Sequence, residues 1–297
     1  MTVLVTGASS RIGQSVVAAL DARVQLVLLV NRRPAPASGP RVRTLAGGLA
    51  AAARHAAVIQ SADVVLHMAG LSHARRAQAY AEVNEDGTLA LLAACRPAQP
   101  IVYLSTRCAG PDGGAYGRSK HRAEQAIAAS GRPYVIIRPS EVYGSQSGEG
   151  IDALVDLAIR RRVLLDFRWR PPVRYSPVAC DELAGFVARV VASDLSNAAK
   201  TYTICNNRSY AAEDIRGAIE RGLGKPVHRV PIPVGLLKAM RAVVPLPFAP
   251  DQIERLIMDK PADNRLARED YAFSPRCFLQ YLEERRRLES GRPGARE

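Results

Sequence analysis

The first half of the chain alternates short, continuous apolar runs with longer stretches whose apolar positions recur at helical spacing. Continuous apolar runs are typical of strands buried on both faces of a parallel sheet. The pattern predicts strands at 2–6, 24–30, 42–45, 63–69, 101–104 and 134–138. It predicts helices at 14–22, 50–60 and 75–95, and a further helix around 116–120. Strands that alternate with helices predict an α/β fold with a doubly wound parallel sheet.

Beyond residue 144 the alternation weakens. Helices are predicted at 151–162, 181–193 and 211–223, and a strand at 201–205 is expected to return to the sheet. Prolines punctuate short helices from residue 226 onward. We therefore expect residues 1–145 to form a main domain, and residues 175–205 to return to that domain. A small C-terminal α+β substrate lobe is expected from 146–174 and 206–285, followed by a charged tail at 286–297.

Composition limits the cellular setting. The chain has 297 residues, 47% of them apolar, and no apolar run approaches the ~18 residues that read as a membrane span. No basic segment followed by an apolar one opens the chain, so no secretory signal is expected. The five cysteines are scattered without a CxxC pair, which favours a reducing cytoplasm. We expect a cytoplasmic protein with no membrane partner and no metal site.

The formal net charge of +13 can attract anionic ligands such as dinucleotides and nucleotide sugars. Nucleic acid is the competing interpretation. Only 5% of residues are aromatic, and no recognition motif or basic-aromatic alternation is present. Nucleic acid is therefore not an expected partner.

A glycine-containing turn joins the first strand to the first helix. It reads Thr6-Gly-Ala-Ser-Ser-Arg-Ile-Gly13. Glycines let such a turn tighten, and a helix N-terminus presents free N–H groups to a pyrophosphate. The candidate phosphate-binding residues are Gly7, Ser9, Ser10, Arg11, Ile12 and Gly13. An arginine occupies the place of the middle glycine in the common TGxxxGxG form.

The end of the second strand selects between two dinucleotides. An acidic residue there binds the ribose 2′-hydroxyl, whereas an arginine accommodates a 2′-phosphate. Here the strand ends at Asn31 and Arg32, with Arg33 next and no acid. The expected cofactor is NADP(H), with NAD(H) as the alternative. The other interpretation of these arginines is that they are solvated loop charges.

The segment from Ser105 to Lys120 carries the candidate chemistry. Tyr116 and Lys120 are spaced i, i+4, so on a helix they share one face. An ammonium near a phenol lowers its pKa toward the range in which proton transfer is efficient. Ser105 and Thr106 end the preceding strand, where a hydroxyl can hold the reacting oxygen of a substrate.

Seven motifs in fixed order extend the pattern. They are Thr6-Gly7…Gly13; Asp63-Val-Val-Leu-His67-Met-Ala69; Asn84-Glu-Asp-Gly87-Thr88; Leu104-Ser105-Thr106; Tyr116xxxLys120; Arg138-Pro139-Ser-Glu-Val-Tyr143-Gly144; and Val178-Ala-Cys-Asp181-Glu-Leu183-Ala184. The chain thereby resembles the extended short-chain dehydrogenase/reductase superfamily, in its NAD(P)-dependent epimerase/dehydratase family, similar to the nucleotide-sugar epimerases.

The resemblance implies a Rossmann-type NAD(P)-binding domain and an enzyme. It implies Tyr116 as acid/base, Lys120 as the ligand of the nicotinamide ribose, and Thr106 as the substrate-binding hydroxyl, with Ser105 beside it. Asn84 is expected behind Lys120. The residues expected along the cofactor are Ala69, Gly70, Pro139 and Ser140.

The chain departs from the family pattern near the substrate. Glu141 replaces the asparagine of the usual Arg-Pro-x-Asn-Val-Tyr-Gly. A carboxylate there repels a diphosphate unless an arginine such as Arg174 compensates; solvated Arg174 is the other interpretation. The pair Gly47-Gly48 stands where a Gly-Asp pair usually contacts adenine. His67 is expected to be a core residue, and Asp181 a helix N-cap.

We therefore predict an NAD(P)-dependent epimerase or reductase that moves a proton through Tyr116 and a hydride through the cofactor, on a nucleotide sugar. Two alternatives remain open. One is an NADP(H)-binding redox sensor or assembly subunit without turnover, and the other is a reductase of non-nucleotide carbonyls. A homodimer through helices 75–95 and 117–129 is a further expectation.

Overall fold

The computed structural model describes residues 1–145, 148–241, 251–258 and 262–290. It gives no side-chain description for residues 240, 241 and 286–290. Of the predicted charged tail, residues 291–297 lie outside the described part.

Eleven strands occur in these ranges. They are β1 (Thr2–Thr6), β2 (Gln25–Val30), β3 (Val42–Ala46), β4 (Val64–His67), β5 (Ile101–Leu104), β6 (Tyr134–Pro139), β7 (Val142–Tyr143), β8 (Val163–Arg168), β9 (Val178–Ala179), β10 (Ala199–Ile204) and β11 (His228–Pro233). Seven of them form one sheet in the order β10-β6-β5-β4-β1-β2-β3, and each neighbouring pair is parallel. The doubly wound parallel sheet is therefore confirmed.

Twelve α-helices accompany the strands in the described part of the chain. They are α1 (Arg11–Ala19), α2 (Ala56–Gln60), α3 (Ala77–Tyr80), α4 (Gly87–Ala94), α5 (Gly114–Ala129), α6 (Gly150–Arg161), α7 (Cys180–Ala192), α8 (Ala212–Leu223), α9 (Val234–Arg241), α10 (Gln252–Ile257), α11 (Arg265–Tyr271) and α12 (Phe278–Ser290). A 3-10 helix spans Leu49–His55 and a π-helical turn spans Ala81–Asp86.

Two apolar layers cover the two faces of the sheet. Alternate residues of one strand enter different layers, because successive side chains of a strand point to opposite faces. Val3 and Val5 pack in the layer of α1 and α7, whereas Leu4 packs in the layer of α2, α4 and α5. Burial of both faces explains why the strands read as continuous apolar runs.

The C-terminal lobe has its own apolar cluster, centred on fully buried Ile215 and Phe278 and formed by α6, α8 and α12. Its parallel pair β8–β11 was not predicted from the sequence. Pro231 and Pro233 argue against a strand, since proline cannot donate to a ladder. The strand forms because β11 pairs on one side only, with β8.

The predicted helix 75–95 is wrong as a continuous α-helix. It consists of α3, the π-helical turn and α4. A π turn inserts a residue into the helical ladder and is frequent at functional sites. Here the turn contains Asn84, which is buried.

A buried ion pair joins α5 to the sheet. Arg138 Nε donates to Glu124 Oε1 at 2.9 Å, its Nη2 reaches the other carboxylate oxygen, and Glu124 is only 4% exposed. The pair raises the pKa of Arg138, chiefly through the hydrogen bond with Glu124. It fixes α5 against β6, and α5 carries Tyr116 and Lys120.

We expect Arg138→Met to lower the free energy of unfolding by about 3 kcal/mol, because it strands a buried carboxylate. Arg23→Met is the matched control, since Arg23 pairs with Asp21 on the exposed surface. The control is expected to lose less than about 1 kcal/mol. Urea unfolding at neutral pH measures both, and equal losses would contradict a structural role for the buried pair.

Candidate active site

The turn between β1 and α1 is closed by contacts that only glycine permits. Gly7 has a positive φ of 76°, and a Cβ there would lie 2.5 Å from the backbone nitrogen of Ala69. A Cβ on Gly13 would overlap the carbonyl oxygen of Gly7. The turn therefore lies directly against the carboxyl end of β4 and leaves a backbone-lined cradle at the start of α1, which suits a pyrophosphate.

The serines of this turn have structural partners of their own. Ser10 is the N-cap of α1, and its Oγ accepts a hydrogen bond from Gly13 N at 2.9 Å. Ser9 Oγ donates to the carbonyl oxygen of Pro34 at 2.7 Å, which fixes the loop after β2 beside the turn. Arg11 and Ile12 begin α1, and the Arg11 side chain is exposed.

Asn31 and Arg32 lie at the carboxyl end of β2, and both are exposed. The Asn31 side chain stands 3.2 Å from the place of a Cβ on Gly48, so the glycine pair packs closely against it. The end of β2 and the Gly7 turn lie side by side, because β1 and β2 are parallel neighbours. Arg32 is thus on the correct edge to meet the adenosine part of a dinucleotide.

Tyr116 lies in the first turn of α5, and burial raises the pKa of its phenol to about 12. The nearby Arg255 cation opposes that shift and lowers the pKa, as does the side chain of Thr106. Lys120 follows on the same helix face. Burial lowers the pKa of the Lys120 ammonium to about 7, against the opposing charge of Glu124.

Lys120 is held toward the sheet. Its Nζ donates to the carbonyl oxygen of Leu104 at 2.8 Å and lies 4.1 Å from the centroid of the Tyr103 ring. Both partners belong to β5, so this strand fixes the lysine at the carboxyl edge of the sheet. Lys120 Nζ also stands 3.7 Å from the place of a Cβ on Gly70.

The two hydroxyl residues after β5 differ in environment. Ser105 is buried, and its amide donates to the carbonyl oxygen of Ile137 at 2.7 Å, which continues the β5–β6 ladder. Thr106 is half-buried, and its Oγ1 accepts from Cys108 N at 3.2 Å. Since Thr106 also acts on the pKa of Tyr116, it is the hydroxyl placed beside the phenol.

Asn84 links the π turn to two other segments. Its Oδ1 accepts from Leu71 N at 2.7 Å, and its Nδ2 donates to Leu71 O at 3.0 Å and to Ser119 Oγ at 2.9 Å. It thereby fixes the chain that follows Gly70 against the helix of Lys120. The expected position behind Lys120 agrees with this arrangement.

The remaining cofactor candidates line the same edge. Ala69 N donates to Thr6 Oγ1 at 3.1 Å, which places Ala69 and Gly70 beside the glycine turn. Pro139 O accepts from Arg107 N at 2.9 Å, and Ser140 Oγ donates to Ser176 O at 2.6 Å. Pro139 and Ser140 therefore end β6 next to the segment after β5.

The two substrate candidates, Glu141 and Arg174, differ in exposure. Glu141 is half-buried with Oε2 inaccessible to solvent, and its charge helps burial raise the pKa of Tyr175. Arg174 is exposed. The compensation of Glu141 by this arginine stays a prediction.

His67 is a satisfied core residue, as predicted. Its Nδ1 pairs with Thr6 Oγ1 at 2.7 Å and its Nε2 with Thr88 Oγ1 at 3.0 Å, and burial lowers its pKa to about 3. Asp181 is not an N-cap, and that prediction is wrong. The cap of α7 is Ala179, and Asp181 in the first turn pairs with Arg276.

Sequence reasoning missed the residues that cover Tyr116. The guanidinium of Arg255 in α10 lies 4.7 Å from the centroid of the Tyr116 ring, and the ring of Tyr80 packs edge-on at 5.8 Å. Asp251 accepts a hydrogen bond from the Tyr80 hydroxyl at 2.9 Å. No motif marks these residues, because they come from distant parts of the chain.

Two kinds of structural feature are absent from the described ranges. No helix there is long and apolar enough to cross a membrane. No group of histidine, cysteine, aspartate and glutamate side chains in those ranges is placed to hold a metal ion.

Comparisons with known proteins concern the family and the fold of this chain. The model of the NAD dependent epimerase/dehydratase family matches residues 3–166. A curated relative named ceramide reductase, from Caulobacter vibrioides (strain NA1000 / CB15N), is 31% identical over 167 residues. That match covers 54% of this chain and 52% of the relative, so it spans about half the length of each.

Solved structures share the fold. A UDP-glucuronic acid 4-epimerase from Bacillus cereus, in complex with UDP-glucuronic acid and NAD, superposes with a TM-score of 0.73 at 19% identity. The alignment covers 96% of this chain and 97% of that one. A dTDP-glucose 4,6-dehydratase from Streptomyces venezuelae gives 0.71 at 19% identity and covers 98% of both chains.

Proposed function

The chain belongs to the NAD-dependent epimerase/dehydratase family, and from this premise we propose that it reduces a ketone with a nicotinamide cofactor, using Tyr116 as the acid. One observation carries the proposal. Tyr116 and Lys120 follow one another by one turn of α5, and Thr106 acts on the Tyr116 phenol, at the carboxyl edge of the sheet that also carries the glycine turn. Ligands of doubly wound sheets bind at that edge.

The side chains supply binding and proton chemistry. The backbone of the Gly7–Gly13 turn would hold the pyrophosphate, and Lys120, supported by Asn84, would hold the nicotinamide ribose. A bound nicotinamide supplies hydride chemistry. Thr106 orients the substrate oxygen, and Tyr116 Oη donates its proton to that oxygen as the carbonyl becomes an alcohol. The Lys120 ammonium then stabilises the phenolate that remains.

We infer that the substrate is a non-nucleotide ketone. Glu141 places a carboxylate near the end of β6, at a position where related sequences usually have an uncharged asparagine. A carboxylate disfavours a neighbouring diphosphate. The relative named ceramide reductase also carries a name that denotes reduction of a substrate without a nucleotide.

A nucleotide sugar is the second candidate. The family includes enzymes of that class, and the Bacillus cereus structure of the same fold contains UDP-glucuronic acid and NAD. Exposed Arg174 supports this candidate, because it remains available to an anionic ligand. Epimerisation of such a sugar would use the same Tyr116 first as base and then as acid.

One panel assay separates these possibilities. Purified protein is mixed with NADPH or NADH and tested on aliphatic and long-chain ketones and on UDP- and dTDP-4-ketosugars, with absorbance at the nicotinamide band as the readout. We expect oxidation of the cofactor with a non-nucleotide ketone. Turnover confined to nucleotide sugars would establish the second candidate. Cofactor binding with no turnover on either class would support the sensor or assembly subunit.

For the cofactor we propose NADP(H), because Arg32 is exposed at the end of β2 and no acid accompanies it. Arg32→Glu is expected to raise the Kd for NADPH at least tenfold, since a charge-assisted hydrogen bond contributes about 1.5–3 kcal/mol. The Kd for NADH is expected to change less than threefold. Arg161→Glu, at the exposed end of α6, is the matched control. Equal weakening of both cofactors would contradict the assignment.

We also propose a homodimer through the α4 and α5 face. Val83 and Leu89 are exposed apolar residues there, at 37% and 48%. Arg122 of α5 pairs with Glu85 of the π turn, which aligns the two helices. Sedimentation equilibrium of the wild type against Leu89→Glu tests this, and a dimer that survives the charge would place the interface elsewhere.

A further inference from the structure

The active site is covered by a short segment from the far C-terminal part of the chain. This segment, residues 251–258, consists of Asp251, helix α10 (Gln252–Ile257) and Met258, and we call it the roof segment. It lies against α5 at its N-terminal end, where a Cβ on Gly114 would stand 2.8 Å from Asp251 Cβ. Helix α5 begins here with a glycine at a positive φ of 68°, which lets the two segments approach closely.

Asp251 attaches the roof segment to the main domain. Only 5% of its surface is exposed, and its carboxylate accepts from the Tyr80 hydroxyl at 2.9 Å and from Tyr116 N at 3.4 Å. A buried carboxylate is stable only when it is paired or hydrogen-bonded. It therefore ties the roof segment to both aromatic residues next to the site.

Arg255 is braced on two sides and directed at Tyr116. Its Nε lies 3.5 Å from Asp251 Oδ2, and its Nη1 donates to Ser72 O at 3.2 Å. Its side chain is 15% exposed, and its guanidinium carbon stands 4.7 Å from the centroid of the Tyr116 ring. A partly buried cation over an aromatic ring is attracted to it and favours the phenolate over the phenol.

We propose that Arg255 is a positioning residue for proton transfer, which holds Tyr116 in place and stabilises its phenolate from the roof segment. This inference rests on the proposed function. Lys120, in contrast, faces β5, where its Nζ contacts Leu104 O and the Tyr103 ring. The two cations thus approach the site from different elements, one from α5 and one from the roof segment.

Other groups around Tyr116 are fixed, so the effect of Arg255 can be separated from theirs. Cys108 in the preceding loop and Tyr80 in α3 each raise the pKa of Tyr116, Thr106 lowers it, and burial raises it most. The Asp251 carboxylate contacts the backbone of Tyr116 and the hydroxyl of Tyr80. A substitution at Arg255 changes no atom of these groups, but it removes the cation beside Asp251, which is why Arg255→Lys is measured as well.

The test reads the phenol directly and needs no turnover. A fluorinated tyrosine, whose phenol is more acidic than that of tyrosine, is placed at position 116 of the full chain, and its pKa is followed by ¹⁹F NMR. Arg255→Gln is expected to raise this pKa by about 1 unit, because a cation within about 6 Å favours the charged form. Arg255→Lys is expected to restore at least half of the shift.

Arg268→Gln is the matched control, since it removes the same charge from an exposed position of α11. It is expected to leave the pKa unchanged. A pKa in Arg255→Gln equal to that of the wild type, with both proteins folded by circular dichroism, would overturn the proposal. If Arg255→Gln does not fold, Arg255→Met is measured in its place: a rise of the pKa by about 1 unit supports the role, and a wild-type pKa overturns it.

Kinetics add a second readout on a ketone that the panel identifies. Oxidation of the product alcohol needs the phenolate, so its rate rises with pH through the pKa of Tyr116. Arg255→Gln is expected to shift this rise in rate to higher pH. At pH values below the pKa of Tyr116, oxidation is expected to be about tenfold slower than in the wild type, which corresponds to a pKa increase of one unit. A higher KM in Arg255→Gln with an unchanged pH dependence of the oxidation rate would mean that Arg255 binds substrate, and would overturn the proposal. Failure of the proposed function has a different signature: the wild type turns over no ketone, while Arg255→Gln still raises the pKa measured by ¹⁹F NMR.

Discussion

Tyr116→Phe is expected to lower kcat for ketone reduction by about 10²–10⁴-fold, the range that a positioned general acid contributes. Phenylalanine keeps the ring under Arg255 and against Tyr80, and removes only the hydroxyl that donates the proton. The Kd for NADPH is expected to stay within about threefold, because the turn at Gly7 is untouched. Stopped-flow measurement of single-turnover cofactor oxidation checks the loss, with binding measured separately by nicotinamide fluorescence.

Tyr134→Phe is the matched control for that variant. Tyr134 begins β6, at the opposite edge of the sheet from Tyr116, so loss of its hydroxyl is expected to leave kcat unchanged. A Tyr116→Phe enzyme with near wild-type kcat would show that another group is the acid. The proposed mechanism would then be wrong even if the cofactor binds.

Gly13→Ala is expected to weaken NADPH binding at least 100-fold, which corresponds to about 2.7 kcal/mol. The added methyl would overlap the carbonyl oxygen of Gly7 and stand 2.9 Å from Ala8 Cα, both on the backbone. The turn must open to accept it, and the N–H groups at the start of α1 then leave the positions that a pyrophosphate requires. Overpacking of this kind also costs about 1–3 kcal/mol of folding stability.

Isothermal titration calorimetry with NADPH measures the first effect and urea unfolding the second. Gly185→Ala is the matched control, because a Cβ at that helical position would meet only the flexible end of Arg189, at 3.9 Å. It is expected to bind NADPH normally and to gain about 0.5–1 kcal/mol of stability. Wild-type affinity in Gly13→Ala would place the dinucleotide away from this turn.

Most of the main domain could be predicted from the sequence, because its pattern has a local cause. Strands buried on both faces must be apolar throughout, so β1, β2, β5 and β6 were recognised within a residue or two. The expected edge of candidate residues also agrees with the structure. Parallel strands deliver their carboxyl ends to one side, so Gly7, Ala69, Thr106 and Pro139 meet there.

Two predictions were wrong and one strand was missed, for physical reasons that the sequence does not display. The 75–95 helix contains a π turn at Asn84, and the Asn84 side chain bonds to Leu71 and Ser119 outside that helix. Strand β11 exists despite its prolines, because β8 pairs with one side of it. Asp181 lies inside the first turn of α7, whose cap is Ala179, and its carboxylate pairs with Arg276, 95 residues away.

The sequence by itself determined the family, the parallel sheet and the identity of Tyr116, Lys120 and Thr106 as candidates, since periodicity and motif spacing depend on neighbouring residues. Only the tertiary structure decided what surrounds Tyr116. Asp251 and Arg255 follow it by more than a hundred positions, and they reach it because the C-terminal lobe folds back over α5. A contact between distant segments is fixed by packing and charge in three dimensions, and it leaves no period or motif in the chain.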